Sequence, residues 1–304
     1  MLTWGLTLRE IQSRPVKAQE HQWMTEFLAA LSREDVSPVT VRGYRSDLGQ
    51  FVTWCDILPL ERLTANDLSR FQQYLSQERL MKPASINRKL EVLRRFCRWA
   101  YRSGKLRTDV ADQLKLIRTS RDTRPKGLTV GEVQALLRAA GQSRGVLAQR
   151  NYAILQLLLQ VGLRVSEAAA LRVEDLDIRE RQGRIRIRSK RNKEERTLSL
   201  PVAVRRALQA YLDKREEAGA QEPVFLSETG GALSVRSIQS LITELARRSH
   251  LKRIPVSAHT LRHTFALEYL RQNPGKLVEL STLLGHELLG TTAVYALPSE
   301  GAGA

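Results

Sequence analysis

The chain has 304 residues, 42% of them hydrophobic, enough for two cores of ordinary size and too many for a disordered chain. Its 49 Lys and Arg stand against 32 Asp and Glu, and the formal charge of +17 points to a polyanionic partner, nucleic acid ahead of an anionic membrane surface or a ribosomal-type structural role. There is no apolar run of membrane-spanning length and no charged-then-apolar layout at the N-terminus, and Cys55 and Cys97 sit in helical apolar patterns; a cytoplasmic, nucleoid-associated protein without disulfides is expected.

In chain order, residues 17–118 read as a helical domain without strand signals. The stretch AQEHQWMTEFLAALSRE has apolar residues at helical spacing. SPVTVRGYRSDLGQFVTWC opens on Ser37 as N-cap with Pro38 at the first helical position. LTANDLSRFQQYLSQER starts on Thr64 with Asp67 three residues on, close to a capping box. KPASINRKLEVLRRFCRWAYRSG ends on Gly104 in a helix-stop position. Residues 119–127 are polar and basic, with one Pro and one Gly, and read as an interdomain linker.

The second domain, residues 128–304, begins at LTVGEVQALLRAAG, where Thr129 and Glu132 form a capping box. Helices continue through RNYAILQLLLQVGLRVSEAAALRVEDL. The period then changes: in GRIRIRSKRNKEERTLSLP, Arg184, Arg186 and Arg188 alternate with Ile185 and Ile187, which predicts a β-hairpin with a cationic face and a basic turn. Helices return after Pro201. The fold class expected is mainly α with a small β-hairpin or sheet, in two domains.

Four pieces of the second domain carry reactive side chains. In GLRVSEAAAL, Arg164 and Glu167 share one face at a helix start. The hairpin turn offers Lys190, Arg191 and Lys193. In HTLRHTFALEYL, His259, Arg262 and His263 occupy adjacent turns. LLGHELLGTTAVY contributes His286 and Tyr295. The two histidines of HTLRH have the i, i+4 spacing of zinc ligands, but the residues between them are Thr, Leu and Arg; no Glu stands as base and the cation opposes a metal ion, so no metal is expected.

These four pieces, in this order and spacing, resemble the tyrosine site-specific recombinases, the integrase family of the Xer, phage-integrase and Cre types. The resemblance covers most of the chain; SPVTVRGYRSDLGQFVTWC and SINRKLEVLRRFCRWAYRSG match the run of the family's SAM-like, four-helix core-binding domain. It implies a recombinase that cleaves and rejoins DNA through a covalent 3′-phosphotyrosyl intermediate, in integration, excision or resolution, with no cofactor, metal or ATP. Tyr295 would be the nucleophile, and Arg164 and Arg262 would neutralise the non-bridging oxygens, a task suited to planar, always-charged guanidiniums. Lys190 would protonate the departing 5′-oxygen, with Lys193 as the alternative, since SKRNKEER replaces both glycines of the family's usual Gly-Lys-Gly. His259 would move the Tyr295 proton or hold the phosphate, and His286 would bond a non-bridging oxygen. Glu167 would orient a catalytic partner, and His263 would pack beside the site.

Arg42, Arg45, Arg88, Arg94, Arg184, Arg186, Arg188, Arg191 and Lys193 are candidate DNA contacts. Double-stranded DNA with a specific site is the implied partner. The family further implies a homotetramer on two sites, or assembly with a paralogous recombinase, and accessory DNA-bending proteins. A type IB-like topoisomerase and a DNA-binding factor that has lost the reaction are the competing readings.

Overall fold

The computed structural model describes residues 22–34, 36–55, 60–118, 126–142, 145–188, 195–215, 218–285, 292 and 295. The chain forms two compact units, Met1–Arg121 and Asp122–Ala304.

The first unit is built on α1 (Gln22–Arg33), α2 (Pro38–Cys55), α3 (Ala65–Gln73) and α4 (Pro83–Arg102), with Tyr74–Glu78 continuing α3 as a wider π-type turn. The starts follow the sequence signals. Ser37 Oγ accepts from the Thr40 amide, and Thr64 and Asp67 complete a capping box. Gly104 takes a φ of 70°, the left-handed turn that stops α4. The buried stripe Ile86, Leu90, Leu93, Phe96, Cys97 and Ala100 turns one face of α4 into the core. There Phe96 meets Phe27 edge-on at 5.4 Å, and Phe51 meets Phe71 edge-on at 5.1 Å.

Both cysteines are free; burial pushes the thiols of Cys55 and Cys97 up to about 12, which leaves them inert. A charged pair, Lys89 and Asp47, also lies inside this core. Lys89, 3% exposed, donates to Asp47 Oδ1 at 2.7 Å and to Gln50 Oε1 at 2.7 Å, while Arg88 forks onto the same carboxylate.

The second unit is organised by α6 (Val146–Val161), whose residues Ala153 to Leu159 are all buried. A helix buried on every side must be surrounded, and α5 (Val130–Gly141), α8 (Val202–Leu212) and α10 (Ala258–Gln272) pack against it. Thr129 and Glu132 form the capping box read from the sequence. A short helix, α7 (Val165–Ala170), follows α6, and α9 (Val235–Arg248) and α11 (Leu277–Leu284) complete the helical set among the described residues.

The hairpin is present as β2 (Gly183–Arg188) and β3 (Glu195–Ser199), paired antiparallel with Ile185 opposite Leu198 and Ile187 opposite Arg196. A third strand, β1 (Leu176–Ile178), extends the sheet on the β2 side. Three residues carry too little alternation to be read as a strand from sequence; pairing with β2 creates it. Among the described residues no helix is long and apolar enough to cross a membrane.

Candidate active site

Arg164 is placed by a tight break between two helices. Gly162 ends α6 at φ 67°, and a Cβ there would lie 2.2 Å from the Phe265 ring, so both the turn and the approach of α10 require glycine. Arg164 then caps α7: its amide donates to Glu167 Oε2 at 2.8 Å and its guanidinium to Oε1 at 3.0 Å. The i, i+3 pair foreseen in GLRVSE is thus formed.

Arg262 projects from α10 and is 5% exposed. It donates to the Gly162 carbonyl at 2.7 Å and to the Leu284 carbonyl at 2.6 Å. Arg164 donates to the next carbonyl, Gly285 O, at 2.6 Å. The turn that ends α11 therefore engages both arginines with consecutive oxygens. Burial, then the neighbouring Arg164 charge, pulls Arg262 down to about 10, which leaves it charged at neutral pH.

Tyr295 packs its ring against the small cluster of Ala266, Leu280 and Leu284, and its hydroxyl is hydrogen-bonded to Nδ1 of His263. Burial raises the phenol above its ordinary value, and the Arg262 charge opposes that rise. The His259 ring stands edge-on to His263 with centroids 4.0 Å apart. Burial and then Arg262 lower His259; burial, then His259 and Arg262, hold His263 down at about 4. Both imidazoles are thereby kept neutral at physiological pH. The Tyr295 hydroxyl is thus bonded to His263, which the sequence reading places beside the site, with His259 directly behind it.

One site residue was absent from the sequence reading. Arg196 of β3 forks onto Glu167, Nη1 to Oε1 at 3.0 Å and Nη2 to Oε2 at 2.9 Å, and its Nε donates to Leu283 O at 3.2 Å. Burial by itself would raise the Glu167 carboxyl, but the bonds and charges of Arg196 and Arg164 hold it below its ordinary value. The available signal was strand parity: Arg196 shares the buried side of β3 with Leu198, an unusual place for a charge.

The remaining candidates divide. Lys190, Arg191, Lys193 and His286 lie outside the described residues, as does the linker 119–125. Arg42, Arg45, Arg88 and Arg184 are exposed. Arg94 bonds Glu91 and the Leu114 carbonyl, tying α4 to the segment after it. Arg186 bonds Asp175, and Arg188 bonds Glu174 at 2.6 Å and pairs with Asp175 at 3.0 Å, so the cationic face of the hairpin is partly neutralised within the chain.

Residues 126–300 match the phage integrase family, and residues 24–104 match the phage integrase N-terminal SAM-like domain. The chain belongs to the tyrosine recombinase family. It is 33% identical over 280 residues to the tyrosine recombinase XerC of Shewanella amazonensis, covering 91% of this chain and 92% of the relative. It is 34% identical over 283 residues to XerC of Alcanivorax borkumensis, covering 90% of this chain and 88% of the relative. A lambda integrase (75–356) dimer bound to a COC′ core site has the same fold, with a TM-score of 0.72, 18% identity, and coverage of 89% of this chain and 96% of that chain. As a tyrosine recombinase the chain is a DNA-cleaving and rejoining enzyme.

Proposed function

We propose that this enzyme cleaves one strand of a specific duplex site with Tyr295, holds it as a 3′-phosphotyrosyl ester, and passes it to another 5′-hydroxyl, using neither metal nor ATP. The observation that carries the reading is the convergence of Arg164, Arg262 and the His263-bonded Tyr295 on the turn that ends α11. A scissile phosphate entering there would replace the carbonyls of Leu284 and Gly285 as acceptor for two guanidiniums, a stronger, charge-assisted pairing.

Tyr295 Oη attacks phosphorus, the new Oη–P bond replaces the P–O5′ bond, and the phenolic proton passes to neutral His263, with His259 as the neighbouring acceptor. The 5′-oxygen leaves with a proton from Lys190, and His286 bonds a non-bridging oxygen. Because one phosphoester replaces another, resealing is the same reaction in reverse and needs no external energy source. Glu167 holds Arg164 in place.

Two recombinases on each of two duplexes, as a homotetramer or with a paralogous partner, would supply the exchanging strands, with accessory DNA-bending proteins setting the product as integration, excision or resolution. Among the described residues, Arg42, Arg45, Arg88, Arg184 and Arg188 are the exposed candidates for backbone contacts, Arg88 and Arg188 from positions already paired with carboxylates. The proposed location is the cytoplasm, on the nucleoid.

The test is a covalent trap. Purified protein is mixed with fragmented genomic DNA in EDTA, denatured in SDS and digested. The expected result is a nucleotide-modified Tyr295, with the attached DNA enriched for one site, and strand exchange between two duplexes bearing it. Relaxation without exchange would indicate topoisomerase activity, and bound DNA without an adduct would indicate a binding factor.

A further inference from the structure

We propose that Arg196 is a positioning residue of the strand-transfer site: it locks the Glu167 carboxylate from the hairpin side, so that Arg164 is left one outward-facing donor for the scissile phosphate. The proposal rests on the recombinase reading above and deepens it.

The argument starts from strand parity. Alternation in β3 puts Arg196 opposite Ile187, on the side of the sheet that carries Ile185 and Leu198. A guanidinium there has little water to turn to; its side chain is 18% exposed and that of Glu167 12%. Its three donor nitrogens are all engaged, two on Glu167 and Nε on Leu283 O.

Glu167 in turn accepts four donors. Oε1 takes one guanidinium nitrogen from each of Arg164 and Arg196; Oε2 takes the Arg164 amide and the second Arg196 nitrogen. With both oxygens occupied, the carboxylate has no vacancy to draw the rest of Arg164 inward. The other Arg164 nitrogen therefore points away, now onto Gly285 O.

Gly285 completes the device. At φ 63° it brings bare backbone against both side chains: a Cβ there would lie 2.8 Å from Arg196 Nη1 and 3.4 Å from Arg164 Nη1. Arg196 thus touches the α7 cap through Glu167 and the α11 end through Leu283 and Gly285. A lysine, with a single compact head, has neither the fork nor the separate Nε needed to make these three bonds in a plane.

Arg196→Gln shortens the side chain and removes the charge. The freed Glu167 oxygens would then take up both terminal nitrogens of Arg164, and the group that faces the phosphate would be withdrawn. The charged groups facing Glu167 are Arg164 on its own helix cap, Arg196 from β3 and Arg262 from α10.

The experiment compares single-turnover cleavage of two nicked duplexes carrying the sequence enriched on wild-type Tyr295. One has an ordinary scissile phosphodiester; the other has a methylphosphonate, which lacks the non-bridging charge that Arg164 would neutralise. Arg196→Gln should bind both with unchanged Kd, cleave the phosphodiester roughly a hundredfold more slowly than wild type, and show a deficit about tenfold smaller on the methylphosphonate. Arg196→Lys, which preserves the buried charge, should show the same pattern with a smaller deficit, and serves in its place if Arg196→Gln melts below the assay temperature. Equal deficits on the two substrates would assign Arg196 to general fold maintenance and overturn the proposal, as would no deficit on either. A wild-type protein that forms no adduct would remove the recombinase reading and this proposal together, an outcome distinct from failure of the variants alone.

Discussion

The hydroxyl of Tyr295 is hydrogen-bonded to Nδ1 of His263, one helical turn beyond His259 on α10. Nδ1 can accept the phenolic proton only when the imidazole is neutral, and the setting of His263 favours that form: burial, a second histidine and Arg262 all disfavour the cation.

That setting has a stability consequence. In the unfolded chain His263 binds a proton near its ordinary 6.5, whereas the folded chain refuses it until about 4. The neutral form therefore contributes stability above pH 6.5, and that contribution is lost as pH falls from 6.5 toward 4. His259 is shifted in the same direction and adds to the trend. The melting temperature of the wild type should fall between pH 7 and pH 5, and His263→Gln should flatten that fall more than His259→Gln does. Parallel slopes in all three proteins would contradict the neutral pairing.

Gly162 serves two purposes at once, a left-handed turn and the carbonyl that holds Arg262. Gly162→Ala forces a methyl into the Phe265 ring and should cost about 1–3 kcal/mol in urea unfolding. Cleavage should fall further than the stability loss explains, because a backbone displaced by the methyl carries the residue 162 carbonyl away from Arg262. Gly131→Ala is the control: that glycine lies within α5 with nothing near its Cβ position, and should be neutral or stabilising by up to about 1 kcal/mol.

In the proposed mechanism Lys190 gives the leaving oxygen its proton, with Lys193 as the alternative. DNA with sulfur in place of the bridging 5′-oxygen separates them, because a thiolate leaves without a proton. Lys190→Ala should cleave ordinary DNA about 100-fold or more slowly than wild type, and the sulfur substrate at nearly the wild-type rate. If Lys193→Ala behaves so instead, the role passes to Lys193.

In the first unit, Asp47 is the acidic partner of Lys89 among the described residues, and Lys89 is buried. Asp47→Ala should destabilise the protein by about 3–5 kcal/mol by urea or thermal unfolding, since it strands a buried ammonium. Adding Lys89→Met should recover part of that loss. Arg88, whose side chain is 58% exposed, forks onto the same Asp47 carboxylate. Arg88→Ala should cost under about 1 kcal/mol of stability. If Arg88 contacts a phosphate, the same change should reduce the slope of log Kd against log salt by about one.

Much of this protein was legible along the chain because the deciding interactions are local. Capping at Thr64, Thr129 and Ser37 spans three residues, as does the Arg164–Glu167 pair. The alternation of Ile185 and Ile187 with arginines declares a strand by itself, and the run from Ala153 to Leu159 lies in a stretch that reads as helical, although its central place comes from packing. The types and order of the reactive residues were likewise in the sequence.

What tertiary structure decided was which of these residues meet. Arg196 is 29 residues from Glu167, and only sheet pairing turns it toward that carboxylate. The arginines at 186 and 188 look free for DNA until Asp175 and Glu174 fold beneath them. Arg94 has the look of a groove contact until Leu114 returns beside it. His259 and His263 differ by one helical turn, a difference that periodicity treats as equivalent. The packing of a tyrosine 32 residues beyond His263 breaks that equivalence, because a hydrogen bond depends on distance in space and helical periodicity records only position around an axis.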